Sequence, residues 1–469
     1  MAEIPAGLCD WTPELESLTI GEGVTSIGVG AFTRCKFTNV SLPSTLISIG
    51  NNAFQYSALT AIVFPESLKS VGAYAFANTA LQSIDIIGGV TYGNNAFESA
   101  KIVNVTWPEH PVAIGANLLK GNLIANFVAP AWMAEIPAGL LMENDWLTSV
   151  TFADATTRIG DDAFNGCRRL TLEPEGLPET IIEYGERAFR RGGSLLANSM
   201  FLCSVELGDD IEIADNAFEE AKIRSLGFKG CDFTLGENVF RNVTTITEIV
   251  FPDCMTTIPA GFCNGWTSLT SVTFPVSMTE IGSEAFRNCP NLALEINFNE
   301  DPFSSLTKVG DYAFSGAGVS GVVLPASPME LGENLFNNCR AIASVEIPAW
   351  MDNIPVGFFQ ACSGLKNVTW EEPSDRSSLA IGTYGFYQSG VENFNFPDVP
   401  TTLGYYSFAS TPLRAIDFPE SEMTLNVGSF MGCTELTELN IPEYVSEIPQ
   451  LCFSGCNKLT TVTLDENIK

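Results

Sequence analysis

Histidine is almost absent from this chain, which has a single one, His110, in 469 residues. Since histidine is the commonest general base and the commonest metal ligand, its scarcity argues against both kinds of site. His110 stands in a Pro-Glu-His-Pro segment with no nucleophile in its motif, which favours a loop residue. No Walker A loop, strand-linked GxGxxG, GxSxG or HExxH motif is present. We therefore predict a protein that is not an enzyme, with no cofactor-binding and no metal-binding residues.

Positive charge is also scarce, because 23 Lys and Arg residues face 55 Asp and Glu residues, a formal net charge of −32. A surface of this sign repels phosphate groups, so we predict no nucleic-acid partner and no binding to anionic membranes. The acidity can keep a long, Phe-rich chain soluble, or it can favour a basic or cationic ligand. No run of about 18 apolar residues occurs, so we expect no segment of this chain to insert into a membrane.

What the chain has in abundance is repetition. An apolar residue, which we call the anchor, recurs as the second residue of cassettes related to Ile-Gly-x-x-Ala-Phe, and 15 of the 19 intervals between anchors are 21 to 23 residues long. A fixed period of this length is the signature of a solenoid, in which each unit stacks on its neighbours. The twenty anchors are Cys9, Phe32, Phe54, Phe76, Phe97, Leu119, Leu141, Phe164, Phe189, Phe218, Phe240, Cys263, Phe286, Phe314, Phe336, Phe359, Phe386, Phe408, Phe430 and Phe453.

Each repeat has two halves with different patterns. In the copy at 269–289, Leu269, Val272 and Phe274 show the spacing of a short strand with one buried face, and Pro275 ends it. Equivalent strands include 62–64 and 416–418, and strands one repeat apart must be parallel. The second half, with Ile281 and Phe286, predicts a turn and a short helical or 3₁₀ segment. Four intervals are long, those that end at Phe189, Phe218, Phe314 and Phe386, and their surplus residues predict loops in three segments: 190 to about 200, 297–305 and 371–378.

Thirteen cysteines cannot all pair with one another, because the number is odd. Seven of them stand three residues after an anchor, where a small buried thiol would fit, so we expect these to be reduced. No CxxC pair occurs, and with one histidine a zinc site is not expected. The seven are Cys35, Cys167, Cys289, Cys339, Cys362, Cys433 and Cys456.

The string Leu-x-x-Val-x-Phe-Pro followed by Ile-Gly-x-x-Ala-Phe-x-x-Cys resembles the BspA-type leucine-rich repeat, also called the Treponema pallidum class. The resemblance covers nearly the whole chain. It implies an α/β-type repeat solenoid, a curved array of about 20 repeats of 21–29 residues, with a parallel β-sheet on one face and short helical or 3₁₀ turns and loops on the other. Members are often surface or secreted proteins that adhere to host or bacterial proteins, and the resemblance implies no catalytic residue.

The array is expected to span residues 1–469 as one solenoid. Residues 1–8 recur identically at 133–140, so Met1 enters in mid-repeat, and the chain stops shortly after a predicted strand. We therefore interpret the sequence as a fragment that starts and ends within repeats, or as a chain whose uncapped ends associate with another molecule.

The outward positions of the predicted strands are the candidate protein-binding face, because a solenoid presents its repeated face as an extended surface. Two tryptophans just past strands join them as candidates for exposed contact residues, although each can equally cover a neighbouring turn. Trp107 and Trp370, at inward positions, are expected in the core. The candidates are Thr106, Thr151, Glu206, Val250, Thr273, Val323, Glu346, Thr369, Asn395, Asp417, Asn440, Trp132 and Trp350.

We predict a non-catalytic protein-binding solenoid that recognises a host or neighbouring-cell surface protein, at the cell surface or outside the cell. One alternative is a structural protein that assembles end to end through its uncapped repeats. A second is a cytoplasmic interaction scaffold, which the unpaired thiols and the absence of a basic and apolar leader after Met1 would favour.

Overall fold

A computed structural model describes residues 2–196, 200–372, 376–445 and 447–465. Across these ranges the chain forms 35 short β-strands, and none of the described residues is helical. Every strand pair is parallel, as predicted for strands separated by one repeat. Backbone contacts divide the chain into two compact units, Met1–Val243 and Thr244–Lys469.

The first half of the repeat forms the strands that the sequence predicts, which we call the first-half strands. They pair two by two, four pairs in each unit: β2 with β4, β7 with β9, β11 with β13, β16 with β18, β20 with β22, β24 with β26, β28 with β30 and β34 with β35. Their bounds are β2 Leu18–Thr19, β4 Val40–Ser41, β7 Ser83–Asp85, β9 Asn104–Thr106, β11 Asn126–Val128, β13 Ser149–Thr151, β16 Val205–Leu207, β18 Leu226–Phe228, β20 Glu248–Val250, β22 Ser271–Thr273, β24 Leu294–Asn297, β26 Val319–Val323, β28 Ser344–Ile347, β30 Asn367–Trp370, β34 Glu438–Ile441 and β35 Thr461–Leu464.

The pairing of first-half strands two by two explains why two of the predicted strands, 62–64 and 416–418, do not form. Residues 62–64 have the expected sequence pattern, yet they lie between two complete pairs and form no ladder. At 416–418 a single bridge between Asn395 and Asp417 remains. A strand is defined by its hydrogen-bonded neighbour, so an alternating pattern without a partner leaves only extended backbone.

A second set of strands, which the sequence does not predict, runs through the other half of the repeat; we call these the second-half strands. They form sheets of six and five strands in the first unit and two sheets of four in the second. Their bounds are β1 Ala2–Ile4, β3 Val24–Ile27, β5 Ser48–Ile49, β6 Ser70–Val71, β8 Thr91–Tyr92, β10 Ala113–Ile114, β12 Glu135–Ile136, β14 Arg158–Ile159, β15 Glu183–Tyr184, β17 Glu212–Ile213, β19 Thr234–Leu235, β21 Thr257–Ile258, β23 Glu280–Ile281, β25 Lys308–Val309, β27 Glu330–Leu331, β29 Asn353–Ile354, β31 Leu379–Ile381, β32 Thr401–Leu403 and β33 Met423–Thr424.

The anchor cassette is a series of turns, so the predicted helical or 3₁₀ segment is wrong. Around the anchor Phe54, the N–H groups of Asn52 and Phe54 donate to the carbonyl oxygens of Ala73 and Ala75 of the next repeat, at 2.9 and 2.8 Å. The alternate residues, Ala53 and Gln55, donate within their own turn. Asn52 and Tyr56 both have φ of 58°. A helix needs negative φ throughout and keeps its N–H bonds within the segment. Here alternate N–H groups bond one repeat to the next instead.

The anchors form the core of each unit, as predicted. All of them are buried except Cys9 and Phe453, which are half-buried. Successive rings stack almost parallel: Phe286 lies 5.6 Å from Phe314 with 6° between the planes, and Phe54 lies 5.2 Å from Phe76. Stacked rings one repeat apart bury both faces of each phenyl group, which is the main apolar contribution of the repeat.

The seven repeat cysteines are free thiols with a shared hydrogen bond. Each Sγ donates to the carbonyl oxygen of the anchor one repeat earlier, as from Cys339 to Phe314 at 3.0 Å and from Cys289 to Cys263 at 3.1 Å. The other five such bonds measure 3.0 to 3.4 Å. Asn122 occupies the same position and bonds the carbonyl of Phe97 through its amide. Where this position carries a thiol or the Asn122 amide, its side chain thus bonds one repeat to the preceding one, whereas Ala100, Ala221 and Ala317 fill the same position without a donor.

Candidate functional site

The eleven predicted outward positions are all exposed, three in the first unit and eight in the second. Nine lie in first-half strands, and Asn395 and Asp417 form the isolated bridge. Within the described residues, none of the eleven side chains makes a hydrogen bond or an ion pair. Val250 and Val323 are 62% and 50% exposed. The structure thus brings these residues onto one face within each unit, which we call the first-half face. Their side chains are available for contacts with another molecule.

The two candidate tryptophans lie differently, because both are half-buried. The indole Nε1 of Trp132 donates to the carbonyl oxygen of Pro108 at 2.9 Å, and that of Trp350 to Pro325 at 2.7 Å. Each indole is therefore bonded to the preceding repeat and is not a freely exposed contact residue. Trp107 and Trp370, expected in the core, are also half-buried.

A groove of about 550 Å³ opens on the first-half face of the second unit. Its floor is the outer part of β26 with the start of β28, and its wall is the loop that follows β24. This loop is the predicted insertion at 297–305. Glu295, Glu300 and Asp301 are exposed around the groove, and none of the described residues that line it is basic. The groove thus combines the candidate Val323 with an acidic rim.

A second groove, of about 560 Å³, lies in the first unit and includes the candidate Glu206. One wall is the segment 174–179, with cis peptide geometry before Pro174. Lys229 enters this groove and its Nζ lies 3.1 Å from Glu179. Nearby, hydrogen bonds from the Arg224 guanidinium hold the pKa of the Glu173 carboxyl below its usual range. Of the carboxylates that line this groove, Glu179 therefore has a cation of the chain beside it, whereas Glu175, Glu206 and Asp209 have no ion pair among the described residues.

Sequence reasoning missed this second wall. The interval of 25 residues before Phe189 signals an insertion, but the prediction placed the surplus at 190 to about 200. Residues 197–199 of that range, and 373–375 of the predicted loop 371–378, lie outside the described residues. The pair Pro174 and Pro178 around Gly176 is the signal that could have located the wall, since such residues mark turns.

The thiols have the chemistry of packed groups. Burial raises the pKa of Cys289 and of Cys339 to about 12, so both remain protonated and weakly nucleophilic at neutral pH. His110 is exposed. In the described ranges, no group of three or more His, Cys, Asp and Glu side chains is arranged to hold a metal ion. The same ranges contain no helix of the length and apolar character needed to cross a membrane.

Two-strand repeats stacked on a column of buried anchors define a parallel-strand solenoid of about twenty turns. The sequence model of the BspA type leucine rich repeat region matches in six copies over residues 2–126, 134–198, 178–293, 295–379 and 379–469. The chain belongs to this family, whose fold is typically a binding scaffold. The family prediction is therefore confirmed.

Two solved structures that the chain resembles are leucine-rich repeat proteins. A leucine-rich repeat protein from Bacteroides ovatus ATCC 8483 is 20% identical, with a TM-score of 0.54, over 79% of this chain and 87% of that one. A leucine rich cell surface protein from Faecalibacterium prausnitzii A2-165 is 18% identical, with a TM-score of 0.31, over 98% of this chain and 82% of that one. The first likeness supports the fold. No curated protein sequence matches the chain.

Proposed function

We propose that this protein is a non-catalytic binding solenoid that recognises a protein partner through its first-half face. The observation that supports this most directly is the set of eleven exposed outward side chains without partners among the described residues. Short strands hold them at fixed spacing, and an array of this kind forms an extended binding surface at little cost in conformational entropy. Exposed valines beside threonine, asparagine and carboxylate side chains suit a mixed apolar and polar protein contact.

We also propose a location at the cell surface or outside the cell, with adhesion to a host or neighbouring-cell surface protein. Family membership supports this location. We further propose that residues 1–469 form one repeat array. The interval from Phe240 to Cys263 supports this, because it keeps the ordinary repeat length of 23 residues. A cytoplasmic scaffold would use the same face with an intracellular partner.

Two matched sets of substitutions test the face. The first set is Val250→Arg, Thr273→Arg and Thr369→Arg on first-half strands, and the control set is Thr257→Arg, Thr402→Arg and Thr424→Arg on second-half strands. All six residues are exposed, so each set adds the same charge at similar positions. Binding of the full chain to a panel of purified cell-surface and extracellular-matrix proteins would be measured by interferometry.

We expect the first set to weaken the binding that the wild type shows by about tenfold or more, as for contact residues at an interface. The control set should leave binding nearly unchanged. Equal weakening by both sets, or the absence of binding to every protein in the panel, would contradict the proposal.

A further inference from the structure

The groove of the first unit reaches inward past the surface of its repeats. Tyr184 of β15 and Ile213 of β17 line it, whereas their outward neighbours Glu183 and Glu212 do not. Successive side chains of a strand point to opposite faces, so the groove meets these two strands through their inward-facing side chains. Its volume of about 560 Å³ lies in the range of sites that bind small molecules.

Much of the lining of this groove is apolar and only partly covered by the chain itself. Leu177, Pro178 and Ile211 are half-buried, and Ile182 is 38% exposed. Apolar surface that remains in contact with water yields binding free energy when a ligand covers it. The groove therefore offers a place for the apolar body of a ligand.

Tyr184 adds a polar group without a partner to this apolar lining. The residue is only 7% exposed, and its hydroxyl makes no hydrogen bond with the described residues. Burial raises the pKa of the hydroxyl, so the group stays protonated at neutral pH and can donate a hydrogen bond. Buried hydroxyls are nearly always hydrogen-bonded, so an unpaired one that lines a groove points to an acceptor supplied from outside the chain.

A tyrosine at the same position of another repeat has the partner that Tyr184 lacks. Tyr92 ends β8 as Tyr184 ends β15, each stands five residues before its anchor, and both are buried. The hydroxyl of Tyr92 accepts a hydrogen bond from the N–H of Ile87, five residues earlier in the chain, at 3.0 Å. Five residues before Tyr184 stands Glu179, in the wall of the groove, and no such bond forms there. The insertion that forms the wall thus goes together with an unpaired hydroxyl.

The charge at the rim of the groove limits which ligands can enter. Glu175, Glu206 and Asp209 are exposed and have no ion pair among the described residues. An anionic ligand would meet like charges there, which weakens its binding, whereas a neutral ligand would not.

We propose that this groove binds a small, neutral, largely apolar molecule that carries a hydrogen-bond acceptor such as a carbonyl oxygen. The apolar body covers Leu177, Ile182 and Ile211, and the acceptor receives the hydrogen bond of the Tyr184 hydroxyl. This inference goes beyond the proposed function and does not rest on it, because the ligand is a small molecule and not the protein partner of the first-half face.

The test uses the full chain and Nile red, a neutral apolar dye with a carbonyl oxygen, with the anionic dye anilinonaphthalene sulfonate as the probe control. Tyr184→Phe removes the hydroxyl and keeps the ring, and Tyr92→Phe is its matched control, because the Tyr92 hydroxyl is already bonded within the chain. Ile182→Trp fills the groove. Its matched control is Ile47→Trp, since both isoleucines are exposed and directly precede a second-half strand. Fluorescence titration gives the affinity and the emission maximum of the bound dye.

We expect saturable binding of Nile red to the wild type, weakened at least about tenfold by the steric block of Ile182→Trp. Tyr184→Phe should weaken it about fivefold, as for the loss of one neutral hydrogen bond. In Tyr184→Phe the emission maximum should also move to shorter wavelength, because a hydrogen bond to the carbonyl oxygen of the dye shifts its emission to longer wavelength. Both control variants should match the wild type. Far-ultraviolet circular dichroism checks the fold of each variant.

Several results would overturn this inference. They are the absence of saturable Nile red binding to the wild type, equal binding by Ile182→Trp and the wild type, and a Tyr184→Phe variant with unchanged affinity and emission. Equal losses in Tyr184→Phe and Tyr92→Phe would also contradict a role of the unpaired hydroxyl. If Ile182→Trp weakened the anionic dye as much as Nile red, the preference for a neutral ligand would be wrong.

Discussion

The two halves of each repeat form parallel strands in different ways. Second-half strands join into sheets of four to six, whereas first-half strands stop at pairs. Their outward side chains differ too. Arg158 lies between Glu135 and Glu183, with Nε 3.7 and 3.4 Å from their carboxylate oxygens. On the first-half face, the eleven outward candidates have no such partners among the described residues.

Backbone spacing explains the difference. The second-half strand β23 is followed by Gly282, where a Cβ atom would lie 2.6 Å from the backbone nitrogen of Ala260. Contact this close holds successive repeats at a constant distance and lets the ladder continue. First-half strands vary from two to five residues and carry the loop that walls the groove of the second unit. The comparison teaches that one face holds the repeats together and the other is left open for contacts.

The largest expected effect tests the core that both faces share. Phe286→Ala should lower the free energy of unfolding by about 3–5 kcal/mol, because it removes a fully buried ring and leaves a cavity. The outward Thr273→Ala should change it by less than about 0.5 kcal/mol. Chemical denaturation measures both, and a loss for Phe286→Ala no greater than that of its control would reject the shared core.

The same glycine substitution should have unequal effects on the two faces. Gly282→Ala places a methyl group against backbone atoms of Ala260 and Ile258, which cannot easily move, so a loss of about 1–3 kcal/mol is expected. In the first-half strand β26, Gly321→Ala meets only the Glu295 side chain at 3.7 Å, an ordinary contact. Its effect should stay within about 0.5 kcal/mol. Thermal unfolding compares the pair, and equal losses would remove the distinction in spacing.

The smallest effect concerns the charged row of the second-half face. Lys308 lies 3.4 Å from Glu280 and 3.9 Å from Glu330, and all three side chains are well exposed. Lys308→Met should therefore cost only about 0.5 kcal/mol at low salt, and less in 1 M NaCl. Lys69→Met is the control, because Lys69 is exposed and has no ion pair among the described residues. A cost that does not depend on salt would argue against the ion pairs.

Much of the fold could be predicted from the sequence, because anchors and strands repeat with a constant period. The second-half strands could not, since a two-residue segment such as Glu280–Ile281 is too short to show alternation. The sequence predicts a helical segment at the anchor cassette, where the structure has turns, because the spacing of Ala and Phe does not reveal whether φ is positive or negative. Tyr56 combines positive φ with an N–H group that bonds the next repeat, an arrangement that exists only when neighbouring copies are stacked.

The candidate site divides in the same way. Outward positions such as Thr273 could be predicted from alternation alone, as could the presence of an insertion at 297–305. The acidic groove could not, because its depth depends on Phe303 entering the core and on Asn299 bonding the next repeat. The packing of Trp132 over the carbonyl of Pro108 also joins residues 24 positions apart.

The amino-acid sequence by itself determined the repeat length, the buried anchors, the parallel direction of the strands and the acidic surface. These features can be read from the repeat itself, because equivalent residues of successive copies lie next to each other in the stack. Only the tertiary structure decided which strands pair, where the backbone takes positive φ, and where the loop opens a groove. These outcomes depend on hydrogen bonds between repeats, whose geometry is set only when neighbouring copies are stacked.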